Sequence, residues 1–165
     1  MAMAKTSTHP PDSRHLGALG GLLLLCVGGG AAIGVAFSGQ TAVYSGFDLP
    51  AWAPPPGLFG PVWTVLYAAM AVSGWLVWRT ASTYRRRALA AFAVQLGLNF
   101  VWTPAFFGLG SPMLGLAIIT AVLAAVGWWT AEAWRVRRPA GALQLPYLAW
   151  VAFATALNLA IVLGG

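Results

Sequence analysis

Charge is what this sequence has least of. Three acidic residues are present and 7% of the 165 positions are charged, against roughly 25% in soluble domains. So few polar groups exclude an ordinary water-soluble fold, whose surface they could not supply. The single cysteine, Cys26, lies inside an apolar run; it reads as a small core residue, with no disulfide framework and no thiolate metal cluster. Both histidines, His9 and His15, sit near the N-terminus, and nothing has metal-ligand spacing. Ser-His-Asp sets, Gly-rich phosphate loops and paired carboxylates are missing too, so hydrolytic, nucleotide-driven and metal chemistry are not expected. No ionisable residue lies near the middle of an apolar run, where a proton relay or ion pathway would place one.

What is there is apolar. Hydrophobic residues make up 59% of the chain, mean hydropathy is +0.77, and a membrane-spanning helix needs about 20 such residues. The runs predict an all-α, five-transmembrane-helix bundle in one domain, with spans at 16–37, 58–78, 88–107, 112–134 and 143–163. Residues 1–15 are polar and expected to be a disordered tail. The first run, at about 22 residues, is longer than a signal-peptide core and is kept as a span. Residues 38–57 form the longest connection; Pro50, Pro54, Pro55 and Pro56 remove amide donors, so this stretch must lie at the interface or cap the bundle. Pro61 falls in the first turn of the second span, where a missing donor costs little. Pro104 should bend the last turn of the third.

The arginines set the topology. Arg85, Arg86, Arg87, Arg135, Arg137 and Arg138 fall in two short loops on one face, while the loops of the other face carry only Asp48. This pattern fits phospholipid headgroups better than nucleic acid. Positive-inside logic places the arginine loops and the N-terminus in the cytoplasm of a bacterial-type membrane. Glu132, three residues before Arg135, reads as half of an interfacial ion pair.

Tryptophan is over-represented, with nine in the chain. Trp75, Trp78, Trp128, Trp129 and Trp134 lie toward the arginine end and suit an interfacial belt. Trp52, Trp63, Trp102 and Trp150 gather instead toward the Pro-rich connection. Trp63 and Tyr67 are one turn apart. Gln95, Asn99 and Thr103 repeat every fourth residue on the third span, with Trp102 nearby, and Tyr147, Trp150, Ala154 and Asn158 trace a stripe on the fifth. Amides do not face lipid comfortably, so these faces turn inward. Two readings remain open: helix-packing glue, or a pocket for a large, flat, mostly apolar ligand. Gly30 with Gly34 and Ala93 with Gly97 allow close helix approach.

Four blocks then occur in order: Trp52-Ala53-Pro54-Pro55; Gly60-Pro61-Val62-Trp63-Thr64-Val65-Leu66-Tyr67; the run from Gln95 through Asn99 and Trp102 to Gly108; and Pro146-Tyr147-Leu148-Ala149-Trp150 followed by Asn158. Together they resemble the translocator protein family, also called tryptophan-rich sensory proteins or peripheral-type benzodiazepine receptors, over residues 16–163. The resemblance implies a five-helix bundle, commonly homodimeric, with a pocket under the loop between the first two spans. That pocket takes porphyrins, sterols and synthetic isoquinoline or benzodiazepine-like ligands. Carried over by position, its residues are Trp52, Pro54, Trp63, Tyr67, Asn99, Trp102, Trp150, Ala154 and Leu157. The implied function is tetrapyrrole binding, of a porphyrin or haem type, in a sensory, regulatory or translocation role, with no required cofactor. An alternative implied by bacterial members is light- and oxygen-dependent porphyrin breakdown, with Trp63 and Trp150 as its catalytic residues. A small-molecule transporter ranks last, because small exporters use a membrane-embedded Glu that the helix centres here lack. Family dimers suggest the third span, where Ala93 and Gly97 are the candidates. Animal members carry an aromatic and then a basic residue near the C-terminus for sterols; residues 157–165 contain neither.

Overall fold

The computed structural model describes residues 13–37 and 40–164, so most of the polar tail read at 1–15 lies outside the described residues. Among the described residues five helices are long and apolar enough to cross a membrane: Arg14–Ala36, Pro56–Trp78, Arg85–Gly108, Pro112–Val136 and Arg138–Leu163. No strand occurs among them. The first span is α1 (Ser13–Leu23), a π-turn (Leu24–Gly28) and α2 (Gly29–Ala36). A short α3 (Gln40–Ser45) lies within the connection and precedes the Pro-rich segment. The second span is α4 (Phe59–Trp78), and the third is α5 (Arg85–Thr103) continued by a π-turn (Pro104–Gly108). The fourth is α6 (Pro112–Val136); α7 (Arg138–Ala142) and α8 (Leu145–Leu163) make the fifth.

Lipid offers no hydrogen bonds, so each span must satisfy its own polar groups. The threonines do this by folding back one turn. Thr64, Thr80, Thr120, Thr130 and Thr155 each donate to the carbonyl four residues earlier, at 2.6–2.9 Å. Pro104 has no N–H to give, and the ladder widens there into a π-turn closed by the Leu109 amide donating to the Pro104 carbonyl at 3.0 Å. The chain reverses through Gly110, whose φ of 57° suits glycine. Ser111 Oγ then caps α6 by accepting from the Leu114 amide at 3.3 Å.

The spans alternate in direction, giving an arginine end and a lid end. Helix α6 is central, packing on α5 and α8, while α1 and α2 lie against α4. Trp129 is fully buried, with its ring set edge-on to Phe92 at 5.2 Å. At the arginine end Gly141 lets α7 close on Trp134, since a Cβ there would stand 2.8 Å from the Trp134 Cα. Ser73 Oγ donates to the Ala140 carbonyl at 2.8 Å and ties α7 to α4.

Glu132 binds more than the arginine one turn away. Its Oε1 meets Arg135 Nη1 at 3.0 Å and Arg87 Nε at 3.0 Å, and its side chain is 2% exposed. One buried carboxylate thus ties the end of α6 to the first turn of α5, which begins at Arg85, three residues before the start read from hydropathy. Both arginine side chains are more than half exposed, so solvent screens the pair and its contribution is smaller than that of a fully buried one. Glu132→Gln should lower unfolding stability by about 1–3 kcal/mol, the cost of losing a charge-assisted hydrogen bond to a buried acceptor. Thermal unfolding in lipid nanodiscs checks this, and Arg87→Ala should reproduce a fraction of the loss.

Candidate functional site

The site is built where the first three spans diverge at the lid end. A cavity of about 190 Å³ opens there, with Val27, Gly30 and Gly34 of the first span on one side. Phe59, Trp63, Thr64 and Tyr67 of α4 face them, and Trp102 and Phe107 of the third span close the back. Trp63 and Tyr67 lie one turn apart with ring centroids 5.5 Å apart, making a continuous aromatic wall. A second, much smaller cavity lies beneath the lid, between Tyr44, Phe106, Ala154, Leu157 and Asn158. Phe59, Trp102 and Phe107 line both spaces and form an aromatic partition between them.

Below the first cavity a buried polar chain links three spans. Tyr67 Oη donates to Asn99 Oδ1 at 2.6 Å, Asn99 Nδ2 donates to Tyr147 Oη at 2.8 Å, and Tyr147 Oη donates to Gln95 Oε1 at 3.0 Å. Asn99 is 3% exposed, and Gln95 and Tyr147 are fully buried. The amide repeat on the third span therefore fixes the tilt of Tyr67, and with it the shape of the cavity wall.

The lid is held by aromatic contacts. Tyr44 of α3 donates its hydroxyl to the Pro54 carbonyl at 3.2 Å and rests edge-on to Phe59. Burial raises the Tyr44 phenol above its ordinary value, so it remains a donor throughout the physiological range. Phe47 meets Phe106 at 5.4 Å, and Trp52 meets Phe153 at 5.6 Å.

The structure places the sequence-derived candidates as follows. Trp63, Tyr67 and Trp102 line the larger cavity; Trp102, Ala154 and Leu157 line the smaller one. Asn99 stands behind Tyr67 as its hydrogen-bond anchor. Trp52 is half exposed on the lid, and Pro54 contributes a carbonyl to the lid's closure. Trp150 lines neither cavity; it packs on Phe59 and Phe153. Phe59 and Phe107 also line the cavities without belonging to the residues the motifs point to, although Phe59 precedes Trp63 by one turn and the same spacing argument reaches it. Tyr147 was visible on its stripe, but its place at the centre of the polar chain was not. Gly30 serves within the chain: a Cβ there would lie 2.6 Å from Tyr67 Cδ2, so its close approach is to α4.

Three indole N–H groups are buried without an acceptor among the described residues, those of Trp102 and Trp150 here and that of Trp129 nearer the arginine end, and Asn158 Oδ1 is buried without a donor. Groups of this kind in an apolar site call for a partner. No cluster of His, Cys, Asp or Glu suited to a metal ion is present among the described residues.

The chain is similar to known proteins over most of its length. The TspO/MBR family matches residues 22–163. The tryptophan-rich protein TspO of Archaeoglobus fulgidus is 40% identical over 142 residues, covering 86% of this chain and 92% of that protein. The human translocator protein is 39% identical over 122 residues, covering 70% of each. Protein CrtK of Rhodobacter capsulatus is 34% identical over 132 residues, 79% of this chain and 82% of its own. With matches of this extent and five apolar spans, the chain is an integral membrane protein that belongs to the TspO/MBR family.

Proposed function

We propose that the protein binds a flat, apolar tetrapyrrole of the porphyrin or haem type in the cavity walled by Trp63, Tyr67 and Trp102, in a sensory, regulatory or translocation role. The observation that carries this reading is the aromatic lining: Trp63 and Tyr67 on α4 and Trp102 and Phe107 on the third span bound one cavity, with Thr64 and Thr103 its polar members. Such surfaces favour a planar π-system, which stacks offset or edge-on. The unpartnered indole N–H of Trp102 offers a donor to an acceptor on the ligand.

The volume of about 190 Å³ is below the roughly 300–1,000 Å³ of sites for drug-sized ligands. A macrocycle therefore requires the partition of Phe59, Trp102 and Phe107 to swing aside and merge the two cavities. That motion also brings the ligand toward Ala154 and Leu157. Of the two tryptophans that photo-oxidative porphyrin breakdown would use, Trp63 faces the cavity and Trp150 does not. Binding rather than turnover is accordingly the function proposed. Ala93 and Gly97 are exposed on the outward face of α5, which leaves them available to a second copy of the chain. The arginine end is proposed to face the cytoplasm.

Titration of the reconstituted protein with protoporphyrin IX tests the reading. Tryptophan quenching should saturate, and Trp63→Leu should weaken it by roughly tenfold, about 1.4 kcal/mol of lost wall contact. Trp128→Leu, on the opposite end of the bundle, should leave affinity unchanged. Absence of saturable quenching in the unmodified protein would overturn the proposal.

A further inference from the structure

The larger cavity has a rim that the lid does not cover. Its lips are Ala31 and Gly34 on α2 and Gly60 and Thr64 on α4, and all four residues are exposed as well as cavity-lining. Helix α2 contributes no buried residue along its length; it meets α4 at Gly30, which packs on Tyr67, and beyond that point the cavity lies between the two helices, with open space around Gly34. Neither Gly34 nor Gly60 has anything within 4 Å of where a Cβ would be. Toward the lid the way is closed by the Tyr44–Pro54 hydrogen bond and by the Phe47–Phe106 and Trp52–Phe153 contacts.

Depth decides what lies at the rim. Gly60 is in the first turn of α4 and Tyr67 is seven residues deeper, about 10 Å at 1.5 Å per residue. The opening therefore runs from the lid-end surface through about a third of a 30 Å hydrocarbon layer. Leu24, Leu25 and Val35 of the same span are exposed side chains that only lipid can solvate.

From these observations we infer that the cavity opens sideways into the lid-side leaflet between the first and second spans, and that a lipid acyl chain occupies it in the ligand-free protein. The hinge for the opening is also present. Just below α2 the ladder widens into the π-turn Leu24–Gly28, and it is followed by Gly29 and Gly30. Interruptions of this kind are where helices bend. Above the hinge α2 buries no residue, so widening the gap loosens chiefly the packing of Gly29 on Phe100, of Gly30 on Tyr67 and of Phe37 on Gly108. The inference goes beyond tetrapyrrole binding and stands without it, since the occupant is bilayer lipid. A ligand taking this route is an amphiphile already dissolved in the membrane, and it must displace that chain.

The full-length protein in phosphatidylcholine nanodiscs, doped with phosphatidylcholine carrying a diazirine within the acyl chain, provides the test. After irradiation and digestion, adducts are expected on the cavity residues Trp63 and Tyr67 as well as on the outward-facing Val65 and Val94. In Gly34→Leu/Gly60→Leu the cavity adducts should fall severalfold while those on Val65 and Val94 stay constant, which also reports an intact bundle. Thr64→Leu narrows the gap from one lip alone and should act in the same direction should the double variant fail to fold. Adducts confined to Val65, Val94 and other outward residues in the unmodified protein would overturn the inference. Cavity adducts that persist undiminished in the narrowed variants would overturn it equally.

Discussion

Asn99→Leu is expected to be among the most damaging single substitutions in the membrane interior. Asn99 accepts from Tyr67 and donates to Tyr147, so it joins α4, α5 and α8 through one side chain. Interhelical hydrogen bonds in membranes contribute about 0.6 kcal/mol on average and up to about 1.7. Leucine removes two of them and leaves the Tyr67 hydroxyl without its acceptor, while Tyr147 keeps its bond to Gln95, for a loss of about 1–3 kcal/mol. Tyr67→Phe removes a single bond and should cost less. The order, rather than either value, is the test: unfolding in nanodiscs should rank Asn99→Leu below Tyr67→Phe and both below the unmodified protein. Equal stability of all three would mean that the chain of hydroxyls and amides is incidental to packing. Ligand binding should follow the same order, because Tyr67 loses its fixed tilt on the cavity wall once Asn99 is gone.

How far the sequence leads toward this arrangement differs from one element to the next. Hydropathy finds five apolar runs because lipid solvation acts on composition over some 20 residues at a time. The ion pair of Glu132 with Arg135 is legible because both belong to one helix turn; its second partner, Arg87, comes from the start of α5 and has no local signature. The same limit applies at the site. Gln95 and Asn99 form a visible stripe on one helix and Tyr147 starts another, but which members of two stripes meet depends on how α5 and α8 are rotated. The π-turn at Leu24–Gly28 leaves no trace in an apolar run without proline. Helix α3 escapes notice because its six residues are too few for periodicity to register, and the prolines that follow dominate the segment. The pocket's aromatic members are legible from their crowding near the lid-end motifs. Its partition is not, because it requires Phe59, Trp102 and Phe107 from two spans to converge.

The two glycines of the first span should separate sharply under substitution, although their spacing in the sequence treats them as a pair. At Gly30 a Cβ would lie 2.6 Å from Tyr67 Cδ2 and 2.9 Å from its Cζ. The ring has little freedom to retreat: its hydroxyl is held by Asn99 at 2.6 Å, and Trp63 and Phe100 flank it. Gly30→Val must therefore either break the Tyr67–Asn99 bond or push the first span away from α4. Overpacking of this kind costs about 1–3 kcal/mol. It also fills the cavity from its floor, so protoporphyrin affinity should fall by roughly tenfold or more, at least about 1.4 kcal/mol. Gly34 has open space around its Cβ position. Gly34→Ala should leave stability within about 0.5 kcal/mol of the unmodified protein or raise it slightly, since alanine is the better helix former by up to about 1 kcal/mol. Paired unfolding and quenching titrations would read both effects. Similar losses at the two positions would mean that the glycines serve helix association generally. A loss confined to Gly30 would mean that this glycine exists to receive Tyr67, and that the cavity owes its wall to a missing side chain on the neighbouring helix.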